Sequence, residues 1–133
     1  MNQESKKILL IDDSEDFLMA NFDLFNAFGY TVEVANNGAD GLKIAEKFKP
    51  DVIILDVMMT YDTEGFDVAR EIKRRDELKH VKVLLVSGIF ADKKLDKLPS
   101  PDSQWLPVER ILEKPINPAQ LINEVEKLFE QLK

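Results

Sequence analysis

Four short stretches of this chain carry side chains that could do chemistry together. IDDSED holds two adjacent aspartates, Asp12 and Asp13; DVIILD ends in Asp56; VLLVS ends in Ser87; and ILEKP sets Lys114 before Pro115. Carboxylates brought close cannot all stay ionised without a countercharge. A hard divalent cation supplies one: Mg²⁺ favours oxygen ligands, keeps several waters and takes only a few carboxylates plus phosphate oxygens. An ammonium adds a point charge for phosphate, and a hydroxyl can donate to a phosphoryl oxygen. Gathered in one place, the set suits phosphoryl transfer to a carboxylate, with the metal neutralising developing charge. Taken singly, each residue has a plainer explanation. Asp13 suits a helix N-terminus, Asp56 and Ser87 suit turns, and Lys114 suits solvent. Everything depends on where the fold puts them.

Five strand-like runs alternate with helix-like ones. Residues 7–12 form the first strand. Residues 30–35 (YTVEVA) alternate apolar and polar, as a half-buried edge strand does. Residues 51–56 and 81–87 are short, β-branched and almost wholly apolar, which suits central parallel strands covered on both faces. Residues 110–112 make the fifth and shortest. Between them, helical spacing runs over 14–28 (Phe17, Ala20, Leu24, Phe28; stopped by Gly29), 39–48 (Leu42, Ala45, Phe48; followed by Pro50) and 66–77 (Phe66, Ala69, Ile72). The last helix begins at a capping Asn117, with Pro118 in its first turn and Gln120 completing a capping-box-like pattern. Its stripe is Leu121, Val125, Leu128 and Leu132.

Strands alternating with helices imply βαβ units and a parallel sheet, and right-handed crossovers place helices on both faces. In such open α/β sheets functional groups gather at the carboxyl ends of the strands. Asp12, Asp13, Asp56, Ser87 and Lys114 all fall at predicted strand ends. Coincidence is a poor account of the whole set.

Composition narrows the alternatives. A chain of 133 residues argues for one domain. Zero cysteines exclude disulfides and thiolate metal sites, and the one histidine, His80, excludes a multi-histidine centre within the chain. No apolar run is long enough to cross a membrane. The N-terminus MNQESKK lacks the apolar centre of a signal peptide, so a cytoplasmic location is expected. A net charge of -7 disfavours nucleic acid as a partner. The basic run Lys73-Arg74-Arg75 reads as a solvated helix end rather than a phosphate-binding patch. The turn DDSED has no glycine to admit a pyrophosphate, which argues against a dinucleotide enzyme. An aspartyl-nucleophile phosphatase needs two aspartates separated by one residue after the first strand. Here Asp12 is followed at once by Asp13.

On the motifs IDDSED, DVIILDVMM, VLLVSG and EKPINP, in that order, the chain resembles the receiver domain of bacterial two-component response regulators. The resemblance implies a three-layer αβα, doubly wound, five-stranded parallel sheet of flavodoxin-like order 2-1-3-4-5, with residues 1–133 as a single receiver domain and no effector domain. It makes Asp56 the phosphoacceptor, Ser87 the switch hydroxyl and Lys114 the phosphate-contacting lysine. Asp12, Asp13, Asp56 and the backbone carbonyl of Met58 become the Mg²⁺ site. Asp13 is expected to ligate the metal more directly, with Asp12 acting through bound water, and Lys114-Pro115 is the expected cis peptide. The implied partners are a sensor histidine kinase or phosphotransfer protein and a downstream protein, or a second copy of the chain. The reaction falls on the chain's own side chain, so it is not an enzyme with a separate substrate. The other reading compatible with the fold is an interaction module that no longer cycles phosphate.

Three departures from the family pattern stand out. In VMMTYDTEGFD, Thr60 replaces the usual proline and Gly65 arrives about one residue late. Residues 88–107 have helical potential only around 91–98, before Pro99, Pro101 and Pro107. Trp105 in that stretch is read as a cover for the sheet edge, with a partner anchor as the other reading. Where the family often has Tyr or Phe three residues before the lysine, this chain has Ile111, with no polar tip to alternate between water and core. Met58 and Ile89 flank the expected path of an attacking water and cannot orient it, so a slowly hydrolysing aspartyl phosphate is expected.

Overall fold

The computed structural model describes residues 6–57, 64–88 and 107–132. Strands β1 (Lys7–Ile11), β2 (Thr31–Ala35), β3 (Val52–Asp56), β4 (Lys82–Ser87) and β5 (Arg110–Glu113) form one sheet of order β2-β1-β3-β4-β5. Every neighbouring pair is parallel. Helices α1 (Glu15–Ala27), α2 (Gly38–Phe48), α3 (Glu64–Arg74) and α4 (Pro118–Gln131) cover its two faces. One edge strand is β2, as its alternating sequence predicts, and β3, apolar up to Asp56, lies in the middle.

Strand alternation sorts the core into two layers. Leu9, Ile11, Ile53, Leu55, Val83 and Leu85 pack under α2 and α3 with Ala45, Phe66, Ala69 and Ile72. Ile8, Leu10, Val52, Ile54, Leu84 and Val86 point the other way, toward Leu18 and Phe25 of α1 and Leu121, Val125 and Leu128 of α4. Sheet positions buried on both sides explain why these strands are continuous apolar runs. Chain order reverses between β2 and β3, whose strands flank β1, so the carboxyl ends of β1 and β3 open a crevice at the point of reversal.

Helix ends follow local chemistry. Ser14 Oγ accepts from the N–H of Phe17 and caps α1, and Asn37 Oδ1 accepts from Asp40 to cap α2. Asn117 Oδ1 accepts from Ala119, one residue earlier than a capping box would place the bond. Gly29, at φ +92°, ends α1 in a conformation that favours glycine. Lys49 closes α2 in the left-handed region at φ 53°, which no residue type announced.

One expectation needs correction. The third helix does not run to Glu77. It stops at Arg74, Arg75 is extended, and a separate 3-10 turn spans Asp76–Leu78. That break lets Leu78 enter the core with no exposed surface. In the first helix, the spacing of Phe17, Ala20, Leu24 and Phe28 marks the helix but not its most buried side. Leu18 and Phe25 are buried, Phe17 and Leu24 are half-buried, and Ala20 and Phe28 are exposed. A helix with apolar residues most of the way round gives no unique buried face.

Candidate functional site

Backbone hydrogen bonds fix each site residue at or just past a strand end. The N–H of Asp12 donates to Ala35 O at 3.1 Å, carrying the β1–β2 ladder one residue past β1. Asp56 is the last residue of β3, in register with Val86, and the N–H of Val57 donates to Val86 O. Ser87 ends β4, and its carbonyl accepts from the N–H of Lys114 at 2.7 Å. The peptide bond from Lys114 to Pro115 is cis, as expected. Sheet geometry thus sets the origin of four side chains before any of them interacts.

Those side chains converge. One oxygen from each of Asp12, Asp13 and Asp56 lies within 4.8 Å of the other two, a spacing that could hold a metal ion. Lys114 Nζ donates to Asp12 Oδ2 at 2.7 Å and stands 3.8 Å from Asp56 Oδ1. The other oxygen of Asp12 accepts from the N–H of Ser14 at 2.9 Å. Asp12 and Ser87 are wholly buried and Asp56 nearly so, whereas Asp13 is exposed. Among the described residues, no hydrogen bond or ion pair engages Asp13. The two aspartates of the pair are therefore unequal: Asp12 is committed to Lys114 and the Ser14 amide, and Asp13 is available. The donors are all carboxylate oxygens, the set a hard cation prefers.

The model of the response regulator receiver domain matches residues 8–126. The chain belongs to the response regulator receiver family. Among curated proteins, this receiver is 30% identical to the polar-differentiation response regulator DivK of Brucella anthropi over 83 residues, 62% of this chain and 67% of DivK. It is 30% identical to protein PilH of Pseudomonas aeruginosa over 92 residues, 69% of this chain and 74% of PilH. Among solved structures, the chemotaxis response regulator CheY4 of Vibrio cholerae superposes with TM-score 0.77 at 26% identity, covering 93% of this chain and 98% of that one. A CheY-like receiver from Methanospirillum hungatei shares the fold, with TM-score 0.77 at 24% identity over 96% and 97% of the two chains.

Behind β3 the receiver has a brace that sequence reasoning missed. Gly65 sits against the backbone of Asp56 and Val57, so close that a Cβ there would collide with Asp56 O and lie 2.6 Å from Val57 Cα. Its N–H donates to Val57 O at 2.8 Å. Next to it, the buried carboxylate of Glu64 accepts from the N–H of Gly38 at 2.8 Å, at the start of α2. A side chain on Gly38 would meet Glu64 and, at 2.7 Å, Val68. The glycines that open α2 and lie in the first turn of α3 were the available signal, and both mark close approach rather than turns.

Beside the site lies a groove of about 690 Å³, walled by Phe17, Ala20 and Leu24 of α1 and by Pro115, Ile116 and Leu121 across from it. Phe17 and Leu24 of the α1 stripe do both: they line this open apolar wall, which reaches Lys114 and Gly88, and they pack partly against the core.

Ile111 is buried in β5, in the core layer under α2 and α3. The basic run is engaged within the fold: Lys73 Nζ donates to Lys79 O and Val81 O, and Arg74 and Arg75 pair with Glu71. Burial pushes the Lys73 ammonium below its usual pKa, against an opposing pull from Glu109. His80 is exposed, in the turn before β4. Met58, Thr60, Ile89 and Trp105 lie outside the described residues, as does the 91–98 stretch. None of the described helices is long and apolar enough to cross a membrane.

Proposed function

We propose that this receiver is a phosphoacceptor. It takes a phosphoryl group from the phosphohistidine of a sensor histidine kinase or phosphotransfer protein onto Asp56, and so changes a surface read by a downstream protein. The observation that supports it most is the placing of Lys114 Nζ at 2.7 Å from Asp12 and 3.8 Å from Asp56. A single ammonium there is within reach of both a metal-site carboxylate and the reacting one.

Mg²⁺ fits the three-carboxylate set, held by Asp13 and Asp56 with Asp12 behind, and by the carbonyl of Met58 as in the family. When bound, it neutralises the charge that gathers on the transferring phosphoryl oxygens. An Asp56 carboxylate oxygen attacks phosphorus in line. The new O–P bond forms as the P–N bond to the imidazole breaks, and the imidazole leaves with that electron pair. Lys114 Nζ then turns from Asp12 to a phosphoryl oxygen, and the Ser87 hydroxyl donates to another. Both moves draw the ends of β4 and β5 toward the new charge, and the surrounding surface follows. The apolar groove along α1 is where we dock the donor, because it opens beside Lys114. The reaction occurs on the receiver's own side chain, in a cytoplasmic setting.

Beryllofluoride with Mg²⁺, followed by amide NMR, tests this reading. Shifts centred on Asp56, Ser87 and Lys114, absent from Asp56→Ala, are expected. No metal-dependent shift in the wild type would favour the interaction module that does not cycle phosphate.

A further inference from the structure

Lys114 hangs from a flexible four-carbon stem, and a flexible ammonium does not hold one position unaided. One of its neighbours is not a charge. Lys114 Nζ lies over the ring of Phe17, 4.4 Å from the centroid, inside the ~6 Å range of a cation–π contact. The backbone that carries the ring is itself fixed. The N–H of Phe17 is capped by Ser14 Oγ at 3.2 Å, and its carbonyl accepts from Asn21 Nδ2 at 2.8 Å. Ser14 in turn donates its N–H to Asp12 Oδ1 at 2.9 Å, and Asp12 Oδ2 accepts from Lys114 at 2.7 Å. The links close a circuit: Asp12, Ser14, Phe17, Lys114 and back to Asp12. The start of α1 therefore fixes the lysine from two sides, once by charge and once by an aromatic face.

We propose that Phe17 is a positioning residue for Lys114. Its ring holds the ammonium beside the carboxylates and covers one side of it, so that Lys114 meets the incoming phosphoryl group without first being gathered from solvent. The proposal rests on the phosphoacceptor reading and adds to it a residue that touches neither the metal nor phosphate.

The test compares wild type with Phe17→Leu, which keeps apolar bulk, and Phe17→Tyr, which keeps the π face. The first readout is the proton shift of the Lys114 ε-methylene, assigned by NMR. It should lie upfield of an ordinary lysine in wild type and Phe17→Tyr, and return to the ordinary position in Phe17→Leu. The second is the rate of phosphorylation by acetyl phosphate at saturating Mg²⁺. It should fall about three- to tenfold in Phe17→Leu, the size of one partly desolvated cation–π contact, and recover in Phe17→Tyr, with Mg²⁺ affinity unchanged. An ordinary Lys114 shift in wild type overturns the proposal without reference to any variant. A Phe17→Leu protein that is phosphorylated at the wild-type rate overturns the ring's role alone. A wild type that takes no phosphate from acetyl phosphate removes the phosphoacceptor reading, and the ring's role with it.

Discussion

Lys114 Nζ and Asp12 Oδ2 are paired at 2.7 Å across 102 positions of sequence. The pair joins the residues that follow β1 and β5, so the last strand is tied to the first across the carboxyl edge of the sheet. Its partners are unequally placed. The Asp12 side chain is wholly buried, while that of Lys114 keeps 23% of its surface.

That inequality has a consequence for stability. Lys114→Met strands a buried carboxylate, whereas Asp12→Asn leaves an ammonium that can reach water. Breaking a fully buried pair costs about 3–5 kcal/mol, and partial exposure here lowers that to about 2–3 kcal/mol for Lys114→Met. Asp12→Asn should cost less than half as much. Urea unfolding in EDTA measures both, and added Mg²⁺ should recover much of the Lys114→Met loss by replacing the missing positive charge. Equal losses, or a loss indifferent to Mg²⁺, would count against this picture.

The same asymmetry should order the carboxylates that could hold a metal. Asp12 has both oxygens engaged, by Lys114 and by the Ser14 amide, while Asp13 is exposed and available. Loss of a group acting through bound water typically costs about 10–100-fold in metal affinity. Asp12→Ala should fall in that range and Asp13→Ala beyond it. A Mg²⁺ titration with the reverse order would overturn the assignment.

Much of this is legible in the sequence. The strands, their parallel arrangement and the five site side chains at their ends follow from short apolar runs that stop in charged or hydroxyl residues, while the strand order came from the family resemblance. What was not legible shares a cause: it depends on approach between distant segments. Nothing local says that Leu18 and Phe25, rather than Phe17, Ala20 and Leu24, turn inward from α1. The choice is made by what faces α1 from the sheet and α4. The break at Arg75 is set by the need to bury Leu78, and the bond from Gly38 to Glu64 spans 26 residues. Gly38 and Gly65 carried a signal, but a glycine in a sequence does not say whose backbone it lies against.

The Glu64 brace should act on stability and on the reactivity of Asp56 together. Glu64→Ala leaves the buried N–H of Gly38 without its acceptor, a loss of about 1–3 kcal/mol. Glu64→Gln keeps an acceptor and should cost less. Gly65→Ala is the sharper variant, because its new methyl has no room against Asp56 O. It should depress acetyl phosphate reactivity more than Glu64→Ala does at matched stability. Urea midpoints beside phosphorylation rates would show whether the two separate.

Alkaline pH should weaken the α1–α4 side through Tyr30. Burial, then the nearby Glu126 carboxylate, raise its phenol above the usual 10.0. Its ring packs edge-on to Phe25 and stacks on Phe129. The unfolded chain therefore loses the Tyr30 proton first, and the folded state binds more protons above pH 10.0. Stability from this group is complete below that pH and declines as pH rises from there toward the folded value. Tyr30→Phe should flatten that part of the profile, measured as unfolding free energy from pH 9 to 11 against wild type. A wild-type profile as flat as the variant's would show that the phenol is not coupled to folding.

The central claim is that Asp56 accepts a phosphoryl group at the edge where Asp12, Asp13, Ser87 and Lys114 meet. Intact-mass spectrometry after incubation with acetyl phosphate and Mg²⁺ tests it most directly, with fragment mapping to locate the group. One phosphoryl group on Asp56, lost when Mg²⁺ is removed and absent from Asp56→Ala, is the predicted result. No mass gain in the wild type, or a gain that persists in Asp56→Ala, would contradict it.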